Sequence, residues 1–156
     1  MILIGYQGIG KTTLSESSDK YIDLESSNFF VNGERYENWN VPYINIANSL
    51  SQQGYDVFVS SHKIVREELI KSKENKCIIA PALHLKYKWL DKLQDRWLRT
   101  RLYKDYKAFR NAEEMYDENI KDLISEKGFK FIILKDINYD LNDLINKVRE
   151  EFNNGI

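Results

Sequence analysis

Gly5-Tyr6-Gln7-Gly8-Ile9-Gly10-Lys11-Thr12-Thr13 is the stretch from which the rest of the chain is read. It follows the apolar run Ile2-Leu3-Ile4 and satisfies G-x-x-x-x-G-K-[ST] without departure. Glycines admit backbone conformations that a Cβ blocks, so successive N–H groups can wrap a phosphate. A helix starting just after the loop adds a favourable dipole. In this pattern Gly8, Ile9 and Gly10 supply the cradle, and Lys11 reaches the β- and γ-phosphates. The Thr12 hydroxyl is suited to Mg²⁺, and Thr13 to a hydrogen bond with the α-phosphate. The bland alternative is a plain Gly-rich turn. The complete motif, behind a strand, favours a nucleoside triphosphate with Mg²⁺.

Outward from this loop, strand-like and helix-like segments alternate. Apolar runs at 2–4, 21–24, 56–60, 77–80 and 129–134 are β-branched or aromatic and mostly do not alternate with polar residues. Such runs mark a parallel sheet covered on both faces. Helices are predicted over 42–53, 64–71 and 85–107. A further apolar stripe runs through Ala112, Met115, Ile120, Leu123 and Ile124. The last runs through Leu141, Leu144, Ile145, Val148 and Phe152, with Asp140 or Asn138 as N-cap. The alternation predicts a three-layer α/β fold with a five-stranded parallel sheet, in one domain spanning 1–156.

Composition narrows the function classes. The chain has 156 residues, 42% hydrophobic, with 23 basic against 24 acidic side chains for a net charge of −1. That balance disfavours a strongly basic nucleic-acid binder, so no specific nucleic acid is expected. No apolar stretch approaches the roughly 20 residues needed to span a bilayer, and no signal peptide precedes Gly5. A single cysteine, Cys77, excludes an internal disulfide and reads as a buried strand thiol. The expected compartment is the cytoplasm. Two isolated histidines give no zinc-ligand spacing.

With the phosphate loop in place, the chain resembles the P-loop kinase group that includes nucleoside monophosphate kinases, guanylate kinase, shikimate kinase and gluconate kinase. Tyr21-Ile22-Asp23-Leu24-Glu25-Ser26-Ser27 resembles the acidic second strand of shikimate and gluconate kinases. Ile78-Ile79-Ala80-Pro81-Ala82-Leu83, with Leu90, Leu93 and Arg96, resembles the guanylate kinase strand and the helix leading to an arginine-bearing lid. Phe131-Ile132-Ile133-Leu134-Lys135-Asp136 resembles the last strand and the loop beside the base of ATP. The element order is similar to that of small phage-encoded or bacterial kinases. Two departures stand out: Val57-Phe58-Val59 ends in Ser60-Ser61-His62, and no guanine-reading sequence lies between Ser26 and Trp39.

The resemblance implies ATP- and Mg²⁺-dependent phosphoryl transfer to a nucleoside monophosphate or deoxynucleotide. It also implies an acceptor-side segment at 26–53 and a mobile helical lid at 85–107. The lid reading gains from the segment's polarity and its few apolar anchors. The alternatives are a kinase of a small hydroxylated metabolite and a non-catalytic nucleotide-binding module.

Asp23 and Glu25 lie two apart near a strand end, on one face. Asp23 is expected to hold Mg²⁺ or to activate the acceptor, and Glu25 to touch the acceptor; the other reading makes both loop charges. Arg96 and Arg99 are candidates to stabilise the transferring phosphoryl group, against a solvated basic helix face that also includes Arg101. Arg66 is expected to grip an acceptor phosphate, against a surface helix charge. His62 is read either as an acceptor contact or as a packing histidine. Arg35 is a further acceptor candidate, and Arg110 a weaker one. Phe29, Phe30, Tyr36 and Trp39 serve either a base or the core.

Overall fold

The computed structural model describes residues 1–155. In chain order its elements are β1 (Ile2–Gly5), α1 (Lys11–Ser17), β2 (Tyr21–Asp23), β3 (Phe30–Val31), β4 (Glu34–Arg35), α2 (Asn40–Gln52), β5 (Asp56–Val59), α3 (Lys63–Leu69), β6 (Lys76–Pro81), α4 (Lys86–Thr100), α5 (Tyr103–Ile124), β7 (Lys130–Leu134) and α6 (Leu141–Asn153). Five of the strands form one sheet in the order β2-β5-β1-β6-β7. Every neighbouring pair in it is parallel. This is the expected three-layer α/β arrangement, and it fits an α/β nucleotide-binding fold.

The cause lies in the apolar runs. β1, β5 and β6 are buried along their whole lengths, so helices must cover both sheet faces. The chain steps from β1 leftward to β2, then rightward through β5, β6 and β7. Right-handed crossovers therefore place α1 on one face and α2, α3 and α5 on the other. α6 returns to the β2 edge of the sheet: Tyr21 Oη donates to Asn142 Oδ1 at 2.6 Å. Ile2, Leu3, Ile4, Val57, Phe58, Ile78 and Ile79 are fully buried, each worth about 1.5–3 kcal/mol of transfer free energy. At the edge, β7 alternates: Ile132 and Leu134 face the core, and Phe131 and Ile133 are partly exposed. Cys77 is buried in β6, where desolvation pushes its thiol up to about 12. Asp140 caps α6, accepting from Asp143 N at 3.0 Å.

Two expectations change. The helix expected over 85–107 breaks after Thr100. Arg101 takes a left-handed conformation (φ 56°), and α5 then runs unbroken for 22 residues, absorbing the stripe from Ala112. Asp105 builds the joint. It is 4% exposed, accepts from Thr100 Oγ1 at 2.5 Å and pairs with Arg96 Nε at 3.0 Å. The segment also has firm anchors, since Trp89 and Leu93 of α4 are buried in the core. Its first half is thus packed structure, contrary to the expectation of few apolar anchors. The second change is the β3–β4 hairpin, pairing Phe30 with Arg35 and Val31 with Glu34. Asn32 (φ 53°) and Gly33 (φ 82°) turn it, the two positive φ values that Asn-Gly hairpin loops favour.

Candidate functional site

The phosphate loop leaves the C-terminal end of β1, the central strand, with β5 and β6 on either side. The connection from β1 runs over one face of the sheet and those from β5 and β6 over the other, and open α/β sheets bind ligands in the crevice where the direction reverses. Gly8 and Gly10 have φ values of 87° and 105°. A Cβ on Gly8 would lie 2.8 Å from Leu93 Cδ2, so helix α4 packs directly on the loop.

The loop's outward carbonyls are satisfied by core side chains. Trp89 Nε1 donates to the Gln7 carbonyl at 2.9 Å. Tyr139 Oη donates to the Ile9 carbonyl at 2.7 Å. Gln7 Nε2 donates to the Ala108 carbonyl at 2.9 Å and to Asn111 Oδ1 at 3.2 Å, tying the loop to α5. With the carbonyls so engaged, the loop's N–H groups are the donors available to an anion. α1 has seven residues and no side-chain N-cap, so no side chain of the cap occupies its first N–H groups. Trp89 and Tyr139 belong to no motif, and they lie 82 and 130 residues from the atoms they hold.

Two cavities meet at this loop. The larger, of about 1020 Å³, is bordered by Gly8, Ile9, Gly10, Lys11, Thr12 and Thr13. Arg96, Arg99 and Asp23 border it too, so the structure brings the expected donor-side residues together. The loop 137–140 after β7 closes another side. Arg96 reaches it with Nε already committed to Asp105. Lys92 joins this wall, a residue the sequence patterns do not single out. Its ammonium lies 4.3 Å from the Trp89 ring centroid and 3.2 Å from Tyr139 Oη. Desolvation, then the charge of Arg96, push it below the usual lysine range.

The smaller cavity, of about 510 Å³, lies beyond the ends of β1, β2 and β5 and against α3 and α5. Gln7, Lys11, Asp23 and Glu25 line both cavities and so form their common wall. Tyr43 fixes the strand ends beneath it. Its hydroxyl donates to the Leu24 carbonyl at 2.7 Å and accepts from Ser60 N at 2.8 Å. Burial pushes that phenol well above its usual value. Among the described residues, neither Asp23 nor Glu25 has an ion-pair partner.

His62 lines the smaller cavity, bonded through Nδ1 to Ser60 Oγ and set edge-on to Trp39. Desolvation, then the Arg35 charge, lower its pKa below 6.5. Arg66 also borders this cavity, but its guanidinium is clamped. Nη2 meets Asp122 Oδ2 at 2.5 Å, Nη1 meets Glu126 Oε1 at 2.6 Å, and Nε donates to the Ser61 carbonyl at 3.0 Å. At 3% exposure it ties α3 to the end of α5. The expected free grip on an acceptor phosphate is therefore corrected: two carboxylates already hold that charge.

Arg35 lines neither cavity. It donates from Nη2 to Ser26 Oγ at 2.8 Å and lies over the rings of Phe30 (4.8 Å) and Trp39 (5.0 Å). Trp39 is buried and Phe29 packs against the core, whereas Phe30 and Tyr36 are exposed. Arg110 pairs with Glu113 and Glu114 on the outer face of α5, away from both cavities. Arg101 is the turn residue of the α4–α5 joint and lines neither.

The set fits a magnesium–nucleotide ligand. The Thr12 hydroxyl and the unpaired Asp23 carboxylate border one cavity with the loop. Among the described residues, no cluster of three or more His, Cys, Asp or Glu forms a separate metal site. None of their helices is long and apolar enough to cross a membrane. No family model matches the chain, and none of the curated proteins searched is similar to it by sequence.

Proposed function

We propose that the protein is an ATP- and Mg²⁺-dependent phosphotransferase, with the nucleotide in the larger cavity and a small acceptor in the smaller one. One observation carries this reading: a complete phosphate loop opens on two cavities whose common wall holds Lys11, Asp23 and Glu25. Phosphoryl transfer needs donor and acceptor in line with little covalent help from the protein, so positioning and charge dominate.

Loop amides and Lys11 hold the β- and γ-phosphates, and Thr13 the α-phosphate. Thr12 and Asp23 are the residues that would hold Mg²⁺, which neutralises phosphate charge when bound. An acceptor oxygen forms a bond to the γ-phosphorus as the bond to the β–γ bridging oxygen breaks, leaving ADP. Where that oxygen is a hydroxyl, its proton passes to the carboxylate pair. Arg99 and the free nitrogens of Arg96 face the charge that develops on the transferring group. The outer end of α4 and the start of α5 form the lid.

Nucleoside monophosphates and deoxynucleotides belong to the acceptor class implied by the kinase resemblance. The clamp on Arg66 weakens the case for an acceptor phosphate and favours the hydroxylated alternative. Calorimetry with a non-hydrolysable ATP analogue and Mg²⁺ tests the donor half. Lys11→Ala is expected to cut phosphoryl transfer by about 100–1000-fold, the loss typical of one donor to developing charge, with an unchanged circular dichroism spectrum. Full turnover in that variant sinks the assignment. Wild-type binding with no ADP release from any acceptor leaves the non-catalytic module standing.

A further inference from the structure

The smaller cavity carries a run of carboxamides that starts at Gln7 of the common wall and continues along α5. Asn111 Oδ1 accepts from Gln7 Nε2 at 3.2 Å and from Asn119 Nδ2 at 3.0 Å. All three side chains line the cavity. Because Asn111 Oδ1 serves both neighbours as acceptor, the three amides are oriented as one ladder. Gln7 Oε1, Asn111 Nδ2 and Asn119 Oδ1 have no protein partner among the described residues. An alternating set of acceptors and donors is thus available to a ligand. Ser60 and Ser61, at the end of β5, add hydroxyls on another side.

The charges point the same way. Arg66 is the one arginine lining this cavity among the described residues, and its charge is matched by Asp122 and Glu126. Lys11 belongs to the phosphate loop. Lys63 remains, an exposed cation at the first residue of α3. On the phosphotransferase reading Asp23 would face Mg²⁺, which leaves Glu25 as the unmatched negative charge on this side. A phosphorylated acceptor would enter beside that carboxylate with one solvated lysine to receive it. A neutral acceptor meets no such repulsion, and its hydroxyls match the amide ladder. The volume of about 510 Å³ falls within the range of small-molecule pockets.

Resting on the phosphotransferase reading, we infer that the acceptor is an uncharged, polyhydroxylated molecule of nucleoside or sugar size, selected by the Gln7–Asn111–Asn119 carboxamide ladder. One of its hydroxyl oxygens bonds to the γ-phosphorus, the β–γ bridging bond breaks to release ADP, and the hydroxyl proton passes to Glu25.

The test is ADP release from Mg²⁺–ATP with ribonucleosides, deoxynucleosides, D-ribose and D-glucose, each beside its own monophosphate. The expected result is turnover with at least one uncharged member, at a kcat/KM at least 10-fold above that of its monophosphate. Asn119→Leu, on the partly exposed face of α5, is expected to raise KM for that acceptor about 10–100-fold. Affinity for the non-hydrolysable ATP analogue should stay within about twofold. Preference for a monophosphate, abolished by Lys63→Ala, overturns the inference and leaves the phosphotransferase reading intact. Analogue binding without turnover of any uncharged member overturns it too. Failure of the Mg²⁺–nucleotide analogue to bind removes the underlying reading, and the inference falls with it.

Discussion

The two cavities are built in opposite ways. The larger is founded on eight consecutive residues, 7–14, which carry most of the loop's backbone. The smaller has no such stretch: side chains from the ends of β1, β2 and β5, from α3 and from α5 meet there across more than 100 positions of sequence. A backbone cradle suits a ligand part common to all nucleotides. An assembled side-chain wall suits a ligand that differs from one protein to another. Donor binding should accordingly be robust to side-chain changes outside the loop, and acceptor selection should not.

The sharpest way to break this contrast is at the shared wall. Asp23→Asn is expected to lower kcat by about 100-fold or more, the range of a general base, while the Kd for the ATP analogue moves less than about 10-fold. Equal losses in both would assign Asp23 to the donor side alone. Next comes Arg66→Ala. Removing one partner of a buried ion pair costs about 3–5 kcal/mol. Asp122, at 53% exposure, stays hydrated after the change, so a loss of about 2–4 kcal/mol is expected in urea unfolding. Undiminished stability with a raised acceptor KM would restore Arg66 as an acceptor contact.

Trp89→Phe keeps an aromatic, smaller side chain and removes the donor to the Gln7 carbonyl. Nucleotide affinity should fall about 3–10-fold, corresponding to roughly 1 kcal/mol for one neutral hydrogen bond. Affinity unchanged in that variant would show that the loop holds its shape without α4.

The smallest effect is at His62, whose pKa lies below 6.5 through desolvation and the Arg35 charge. The unfolded chain takes up that proton first. The contribution of His62 to stability is therefore complete above pH 6.5 and is lost as pH falls through the folded-state value. Proton NMR of the ring should follow this titration, and Arg35→Ala should move it upward. An unmoved titration would show that the Arg35 charge does not reach His62.

What was legible in the sequence divides along the same line. The five strands of the sheet, the loop and the cap at Asp140 rest on local pattern, and the structure places them within about a residue or two of expectation. The Asn32-Gly33 turn was equally local, and it was overlooked because only two residues flank it on each side. The break at Arg101 had no local marker: no glycine or proline interrupts the helical pattern there. It depends on Asp105 meeting Arg96 and Thr100 once both helices are packed. Trp89, Tyr139, Asn111 and Asn119 look like ordinary helix and loop residues until β6 and β7 bring them to β1. Arg66 was misread for the same reason, since Asp122 and Glu126 lie 56 and 60 positions away.

The side chains that hold the loop's carbonyls have a thermodynamic consequence. Ile9 is 1% exposed, and Trp89, Tyr139 and Gln7 pin the chain on both sides of it. The cradle is thus assembled by folding itself, before any anion arrives. Ordering a flexible segment of this length at the moment of binding would cost about 1–2 kcal/mol per residue in backbone entropy. That cost is already met by the hydrophobic core, so on the proposed reading contacts made with a phosphate would count almost entirely as affinity.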